Sequence, residues 1–390
     1  MTKSYKTTKI ACFIGFVVQA IINNFLPLLF IIFNTRYNLN YEQLGRLLFV
    51  NFFVQLIVDA LTPALVKRIG YRGAAIACHG LAAAGLFMLG VLPLVFPNQI
   101  YTCLVASIIV YASGSGIIEV CISPMVELLP GDKKGADMAF THSFYCWGQA
   151  FTVLVSTLLI FSIGQQHWQF IPMFWAIIPL LNMINFMRVP VIEQPDDPIS
   201  KTANTLFKNR DFWIFAVIMI CAGASEITMA EWASLFAQKA LDVSKTVGDL
   251  LGPCAFAVCM GSGRVIFGLL DGKFNPQKAL ILNNILCVLC YVGVAVCNIP
   301  ALSLIACALC GFSVSLSWPG TYSMAARHFP SGGTLMFSIL ALCGDLGCSI
   351  GPWLMGIVAN STTLETGFLV CSVFPAFMIF TVPLLRKENS

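Results

Sequence analysis

Apolar runs of about 20 residues, the length a helix needs to cross the bilayer hydrocarbon, recur along the whole chain with only short polar breaks between them. They fall near 10–33, 43–66, 74–96, 100–126, 137–162, 169–188, 211–237, 247–269, 278–297, 300–324, 334–358 and 364–384. The pattern predicts an all-α membrane protein of twelve transmembrane helices. The first run follows the basic stretch MTKSYKTTKI but is too long for a signal-peptide core, contains Gln19, Asn23 and Asn24, and lacks a small-residue cleavage site, so it reads as a retained helix. One break differs from the others. From Val189 to Asp211 the chain reads VPVIEQPDDPISKTANTLFKNRD, rich in Pro and charge and too polar to span. It divides the chain into an N-terminal six-helix bundle (1–188), a linker (189–210) and a C-terminal six-helix bundle (211–390).

Composition sharpens this picture. Hydrophobic residues make up 58% of the 390 and charged ones 10%, against about 25% charged in an ordinary soluble domain. The charges are also sorted. With both termini inside, seventeen of the 22 Lys and Arg residues fall in inner segments, four (Arg36, Arg46, Lys239, Lys245) in outer ones, and Arg264 lies within a helix. That bias orients the chain with a cytoplasmic linker and cytoplasmic termini in a plasma or inner membrane. The net charge of +4 follows from this orientation and gives no reason to expect nucleic acid. The sixteen cysteines are scattered through apolar stretches and read as small hydrophobes rather than as disulfides or metal ligands. No nucleotide-binding loop, metal motif or nucleophile elbow occurs in any polar segment. The expectation is a monomeric transporter without a cofactor, not an enzyme, driven by an ion gradient or by the gradient of its solute.

Charged side chains deep in a membrane cost about 2.5–3.5 kcal/mol on insertion scales, so each is a functional candidate. Glu119 lies near the middle of the fourth helix, Glu226 mid-way along the seventh, with Glu231 nearer its outer end, and Asp345 within the eleventh. Glu119 and Asp345 are candidates for proton coupling, and Glu226 for the solute site; a structural hydrogen bond or ion pair is the alternative for each. Polar stripes at helical spacing add Gln19 and Asn23 in the first helix, Asn51, Gln55 and Asp59 in the second, and His142, Tyr145 and Gln149 in the fifth. For Asp59, near the basic turn, a structural or gating role is expected. Trp168 and Trp213 fit interfacial belts, whereas Trp147, Trp232 and Trp318 could offer ring faces to a sugar or simply pack.

The two halves echo one another. Ser123-Pro124 answers Trp318-Pro319, and Gly148-Gln149 answers Gly344-Asp345, at spacings of 195 and 196 residues, as in transporters built from repeats. Six plus six helices, a polar central linker and basic turns (LVKRIGYR, with Lys67, Arg68 and Arg72; GRVIFGLLDGKFNPQK, with Arg264, Asp271, Lys273 and Lys278) resemble the major facilitator superfamily over the whole chain. Within it, GSGIIEVCISPMVELL, AFTHSFYCWGQA, GASEITMAEWASLFAQKAL and GDLGCSIGPWLMGIVA look like the fucose permease branch of sugar:cation symporters. The resemblance implies two pseudo-symmetric bundles around a central site lined by the first and fifth helices, including Asn23, Asn24, His142, Tyr145 and Gln149. It also implies gating by Lys67, Arg68, Arg72, Arg264 and Asp271, and Glu119 on the membrane acid of the fourth helix. Where the branch has an acid in the first helix, this chain has Asn23 and Asn24. The function implied is alternating-access uptake of a sugar with a proton, or with sodium. An organic-anion transporter, an uncoupled facilitator, and a non-transporting sensor or membrane enzyme stand as alternatives.

Overall fold

In the computed structural model the described residues are 5–130, 134–192, 206–269, 275–297, 299–329 and 333–385. Twelve helices follow one another: α1 (Lys6–Tyr37), α2 (41–69), α3 (71–95), α4 (Ile100–Leu128), α5 (Lys134–Ile163), α6 (Phe170–Arg188), α7 (Arg210–Lys239), α8 (Lys245–Phe267), α9 (Pro276–Val296), α10 (Pro300–His328), α11 (Gly333–Ser361) and α12 (Leu364–Leu384). Among the described residues no strand occurs. The order matches the hydrophobic pattern, but the turn between the second and third helices is tighter than the expected gap of 66–74. Helix continues to either side of Gly70, whose φ of 72° and ψ of 170° make the break by themselves. Glycine reaches that backbone region at no steric cost, so one residue suffices.

Other breaks follow proline, which removes a backbone donor and clashes with the preceding turn. Helix α1 tightens to a 3-10 turn over Leu26–Leu29, at Pro27, just after Asn23 and Asn24. A π-helical turn over Leu250–Cys254 contains Pro253 in α8, and α10 is interrupted ahead of Pro319.

The chain forms two compact units: Met1–Leu39 with Val50–Pro195, and Asn40–Phe49 with Asp196–Ser390. In the first, α1 packs against α4 and α5. Three polar contacts tie α6 to α5, α1 and α3: Trp175 Nε1 donates to Ser156 Oγ on α5 (2.9 Å), while Asn182 Nδ2 meets the Ala11 carbonyl on α1 (3.0 Å) and His79 Nε2 on α3 (2.8 Å). In the second unit α7 lies along α11, and the seam is a row of glycines. Gly344 approaches Gly223, Gly347 approaches Ile220 and Ala224, and Gly351 approaches Ala224 and Thr228. Small residues at this spacing let membrane helices touch backbone to backbone.

Both units are turned outward in the sense a bilayer demands. Phe161, Leu269, Leu282 and Phe380 are among the most exposed side chains, whereas Asn23, Gln55, Asn182 and Asn284 are buried. Lipid accepts the first set and cannot hydrogen-bond the second. Trp168 corrects the expectation of an interfacial belt. It is fully buried, its ring 5.1 Å from Phe33 and its Nε1 donating to the Tyr37 hydroxyl at 3.1 Å. Trp213 is half exposed, its Nε1 on the Phe207 carbonyl at 2.9 Å.

The glycine seam makes a testable distinction. A Cβ on Gly347 would collide with the Ile220 carbonyl, whereas one on Gly80 would meet only the flexible Met183 Sδ at 3.3 Å. Gly347→Ala should lower stability by about 1–3 kcal/mol, and Gly80→Ala by no more than about 0.5 kcal/mol. Thermal melts of the two variants in one detergent check this; equal losses would mean that the α7–α11 seam is not tight.

Candidate functional site

In the first unit the polar stripes meet. Residues four apart share a helix face, so α1 presents Gln19 and Asn23 together, and α2 presents Asn51, Gln55 and Asp59. Asn23 Oδ1 accepts from Gln55 Nε2 at 2.9 Å and from Asn51 Nδ2 at 3.4 Å. Ser115 Oγ on α4 donates to Gln55 Oε1 at 2.8 Å, closing a buried network across three helices. One turn along α4, the half-buried Glu119 accepts from Gln19 Nε2 at 2.7 Å. Asp59 is buried, and its carboxylate oxygen lies within 4.8 Å of that of Glu119. The space for it is made by Gly116, where a Cβ would stand 2.6 Å from Asp59 Oδ1.

Asn24 turns the other way. Its Nδ2 donates to the Ala20 carbonyl at 2.9 Å and lies 3.4 Å from the Tyr145 hydroxyl on α5. His142 is placed by Ser123 Oγ at 3.3 Å and by the Phe16 ring at 4.8 Å, and Gln149 is buried farther along α5. Glu119 and Asn24 are thus joined to the α1, α2, α4 and α5 polar groups, while Asn23 is engaged in holding helices together. His79, on α3, sits between the Ala75 carbonyl at Nδ1 (2.7 Å) and the Asn182 amide at Nε2 (2.8 Å). A donor on one ring nitrogen and an acceptor on the other describe a neutral imidazole.

The acids of the second unit are differently placed. Arg264 Nη2 lies 3.4 Å from both carboxylate oxygens of Glu226, an ion pair joining α8 to α7. Asp345 is buried on α11, where its backbone carbonyl accepts from Ser349 Oγ at 2.9 Å. Glu231 is buried, and its Oε2 has no hydrogen-bond partner.

The two tryptophans are set into seams of this unit. Trp232 is fully buried and its Nε1 donates to the Pro352 carbonyl at 3.1 Å, so its ring fills the space between α7 and α11. Trp318 is half-buried and covers Gly344, where a side chain would collide with its ring. Both placements are those of packing side chains.

Of the gating residues, Lys67 and Arg68 are exposed at the end of α2. Arg72 Nη1 donates to the carbonyls of Phe186 (3.0 Å) and Met187 (3.2 Å), at the C-terminal end of α6. A cation there meets orphan carbonyls and the negative end of the helix dipole. Asp271 lies outside the described residues, as do Lys273 and most of the 189–210 linker. Sequence reasoning missed the association of Asp59 with Glu119. The stripe of Asn51, Gln55 and Asp59 was visible, but the helix that Asp59 faces is identified only by the notch at Gly116.

Comparison with known proteins gives a consistent result. The Major Facilitator Superfamily model matches residues 11–334. The "Glucose/galactose transporter" of Brucella abortus is 22% identical over 366 residues, 88% of this chain and 85% of that protein. The "Probable nitrate transporter NarT" of Staphylococcus aureus is 22% identical over 313 residues, 78% of each. A crystal structure of the E. coli fucose:proton symporter FucP superposes with a TM-score of 0.70 at 18% identity, covering 99% of this chain and 100% of that one.

The Glu226–Arg264 pair can be tested on its own. Removing one member of a poorly solvated pair leaves the other charge without compensation. In a double-mutant cycle Glu226→Gln and Arg264→Gln should each destabilise, and the double variant should lose less than their sum, with a coupling of about 1–3 kcal/mol. Additive losses in detergent melts would show that the contact contributes nothing.

Proposed function

The chain belongs to the Major Facilitator Superfamily, and from that premise we propose that it takes up a sugar by alternating access, coupled to a proton through Glu119. In this reading two bundles, 1–188 and 211–390, rock about a central site, joined by the cytoplasmic linker 189–210. The protein works as a monomer in the cell membrane with both termini cytoplasmic.

One observation carries the coupling role. Glu119 is a carboxyl within an apolar helix, held by the Gln19 amide at 2.7 Å, on helices whose spans contain no Lys or Arg. From Ile10 to Thr35, from Leu47 to Val66, and through α4 from Ile100 to Leu128, the sequence has none. A charge there meets no basic side chain from those three spans. Protonation changes the balance of two conformations only if their affinities for the proton differ. A carboxyl buried in one conformation and hydrated in the other provides that difference, about 1.4 kcal/mol per pKa unit.

Chemistry and kinship support a sugar. The first unit offers amides, hydroxyls and carboxylates, which suit hydroxyl groups, and the Brucella relative is named for glucose and galactose. An anion is the second reading, because another relative is named for nitrate. It would need a free base, and Arg264 is compensated by Glu226. Asn24, His142, Tyr145 and Gln149 are the proposed solute contacts of the first unit.

The test is uptake by proteoliposomes across a panel of sugars and small anions, with and without a pH gradient. Wild-type protein should concentrate a sugar, and a one-unit gradient can sustain up to about tenfold. Glu119→Gln should still exchange labelled sugar across the membrane yet fail to concentrate it. Accumulation by that variant equal to wild type would remove the coupling role, and uptake of anions alone would replace the sugar.

A further inference from the structure

We infer that the groove between α7 and α12, at the end of the second unit next to the linker, is a docking site for one phospholipid with an anionic headgroup. The site is independent of the sugar and proton readings.

Helical spacing builds the groove. Arg210, Trp213, Ile214 and Val217 recur at i, i+3, i+4 and i+7 and so share one face of α7. Phe377 and Thr381, four apart near the end of α12, line its other side. The space between them is about 340 Å³, within the range of about 300–1,000 Å³ common to small-molecule sites. From Arg210 to Val217 it runs about 10 Å along the helix, into a leaflet whose hydrocarbon is about 15 Å deep. The trough itself is apolar, because its remaining polar groups are bonded within the protein. Trp213 Nε1 donates to the Phe207 carbonyl at 2.9 Å, and Thr381 Oγ1 donates to the Phe377 carbonyl at 3.0 Å.

The mouth of the groove is cationic. Arg210 is exposed where α7 begins, and Lys208 is exposed two residues before it. Among the described residues neither takes part in a salt bridge. Asp211 follows immediately but is buried, and adjacent residues of a helix do not face one another. A guanidinium in the first turn stands at the positive end of the helix dipole, where a cation is disfavoured and an anion favoured. One backbone N–H of that turn, that of Asp211, is taken by Asn209 Oδ1 at 2.9 Å; the others add to the attraction for an anion. Arg210 thus gains nothing from its own helix, and an anion from outside compensates both the side chain and the helix end.

A cation at one end of an apolar trough that runs into the bilayer matches the anatomy of a phospholipid. Phosphate meets the guanidinium fork, an acyl chain lies along Ile214, Val217 and Phe377, and the half-exposed Trp213 sits at the depth where indole rings are favoured. A soluble anion would use the mouth and leave the trough unused. A zwitterionic lipid would fill the trough but bring its own cation to Arg210. Basic pockets between membrane helices select acidic headgroups on this principle.

The experiment measures lipid binding to purified, delipidated protein in a neutral detergent. Dioleoyl phosphatidylglycerol, dioleoyl phosphatidylcholine and inorganic phosphate are titrated separately and followed by melting temperature and by native mass spectrometry. Wild type should bind one phosphatidylglycerol saturably, about fivefold or more tighter than phosphatidylcholine, and inorganic phosphate should give no shift. Arg210→Gln should remove most of that preference while phosphatidylcholine still binds. Arg188→Gln, which removes an exposed cation at the linker end of α6, should leave the preference unchanged. Val217→Phe fills the trough and should weaken both lipids; if that variant does not fold, Phe377→Ala, which removes the other wall, should do the same. No preference for phosphatidylglycerol in wild type, an undiminished one in Arg210→Gln, or an equal loss in Arg188→Gln overturns the site. A shift with inorganic phosphate as large as that with phosphatidylglycerol overturns the lipid as its ligand.

Discussion

The bilayer offers no hydrogen bonds, and almost every structural choice in this chain answers to that. Within the hydrocarbon a polar group must find its partner in protein. The helix follows from it, because the helix satisfies its own backbone, and so does the inward facing of Asn23, Asn51, Gln55, Asn182 and Asn284. Breaks in the helices obey the same rule. The 3-10 turn at Pro27 and the π turn at Pro253 keep most backbone groups bonded while bending the chain. Because lipid is as apolar as leucine, the helices gain little by hiding hydrophobic surface from it. Close contact has to come from small residues, and the glycines of α7 and α11 supply it.

Polar networks inherit a different logic from the same constraint. A half-satisfied network in a low-dielectric interior is costly, so orphan atoms there are informative. The Asn23–Gln55–Ser115 cluster is closed on itself and reads as a device that fixes α1, α2 and α4. The Gln19–Glu119 pair is open, with one amide oxygen left over. The closed cluster holds the open one in register, since Asn23 and Gln19 stand on one face of α1 and Gln55 and Asp59 on one face of α2.

How much of this the sequence carried depends on what kind of information each feature needs. The twelve helices and their order were legible because a run of apolar residues decides its own environment. Glu119 stands out as a candidate because a carboxyl in such a run has few cheap explanations. Tertiary partners were not. Trp168 looks like a belt residue from its place near a helix end, and only the Tyr37 hydroxyl explains its burial. Nothing near Trp232 in the sequence marks the Pro352 carbonyl, 120 residues on, as the acceptor of its indole N–H. Arg72 belonged to a recognisable basic turn, but its contact with the last carbonyls of α6 lies more than a hundred residues away in sequence. Asp59 was read by its distance from the basic turn, when what places it is a glycine on another helix.

The two units place buried charge in different settings. In the second, Glu226 has a guanidinium beside it, so the charges compensate each other and neither depends on solvent or on an ion. In the first, Asp59 and Glu119 lie in spans that contain no basic side chain. A fixed counter-charge makes a pair indifferent to the ionic conditions on either side of the membrane. A transporter that couples one flux to another needs sensitivity to those conditions somewhere, because an ion that binds all conformations equally drives nothing. The proposed coupling role rests on Glu119 in the first unit, and in the second the Glu226–Arg264 pair joins α8 to α7.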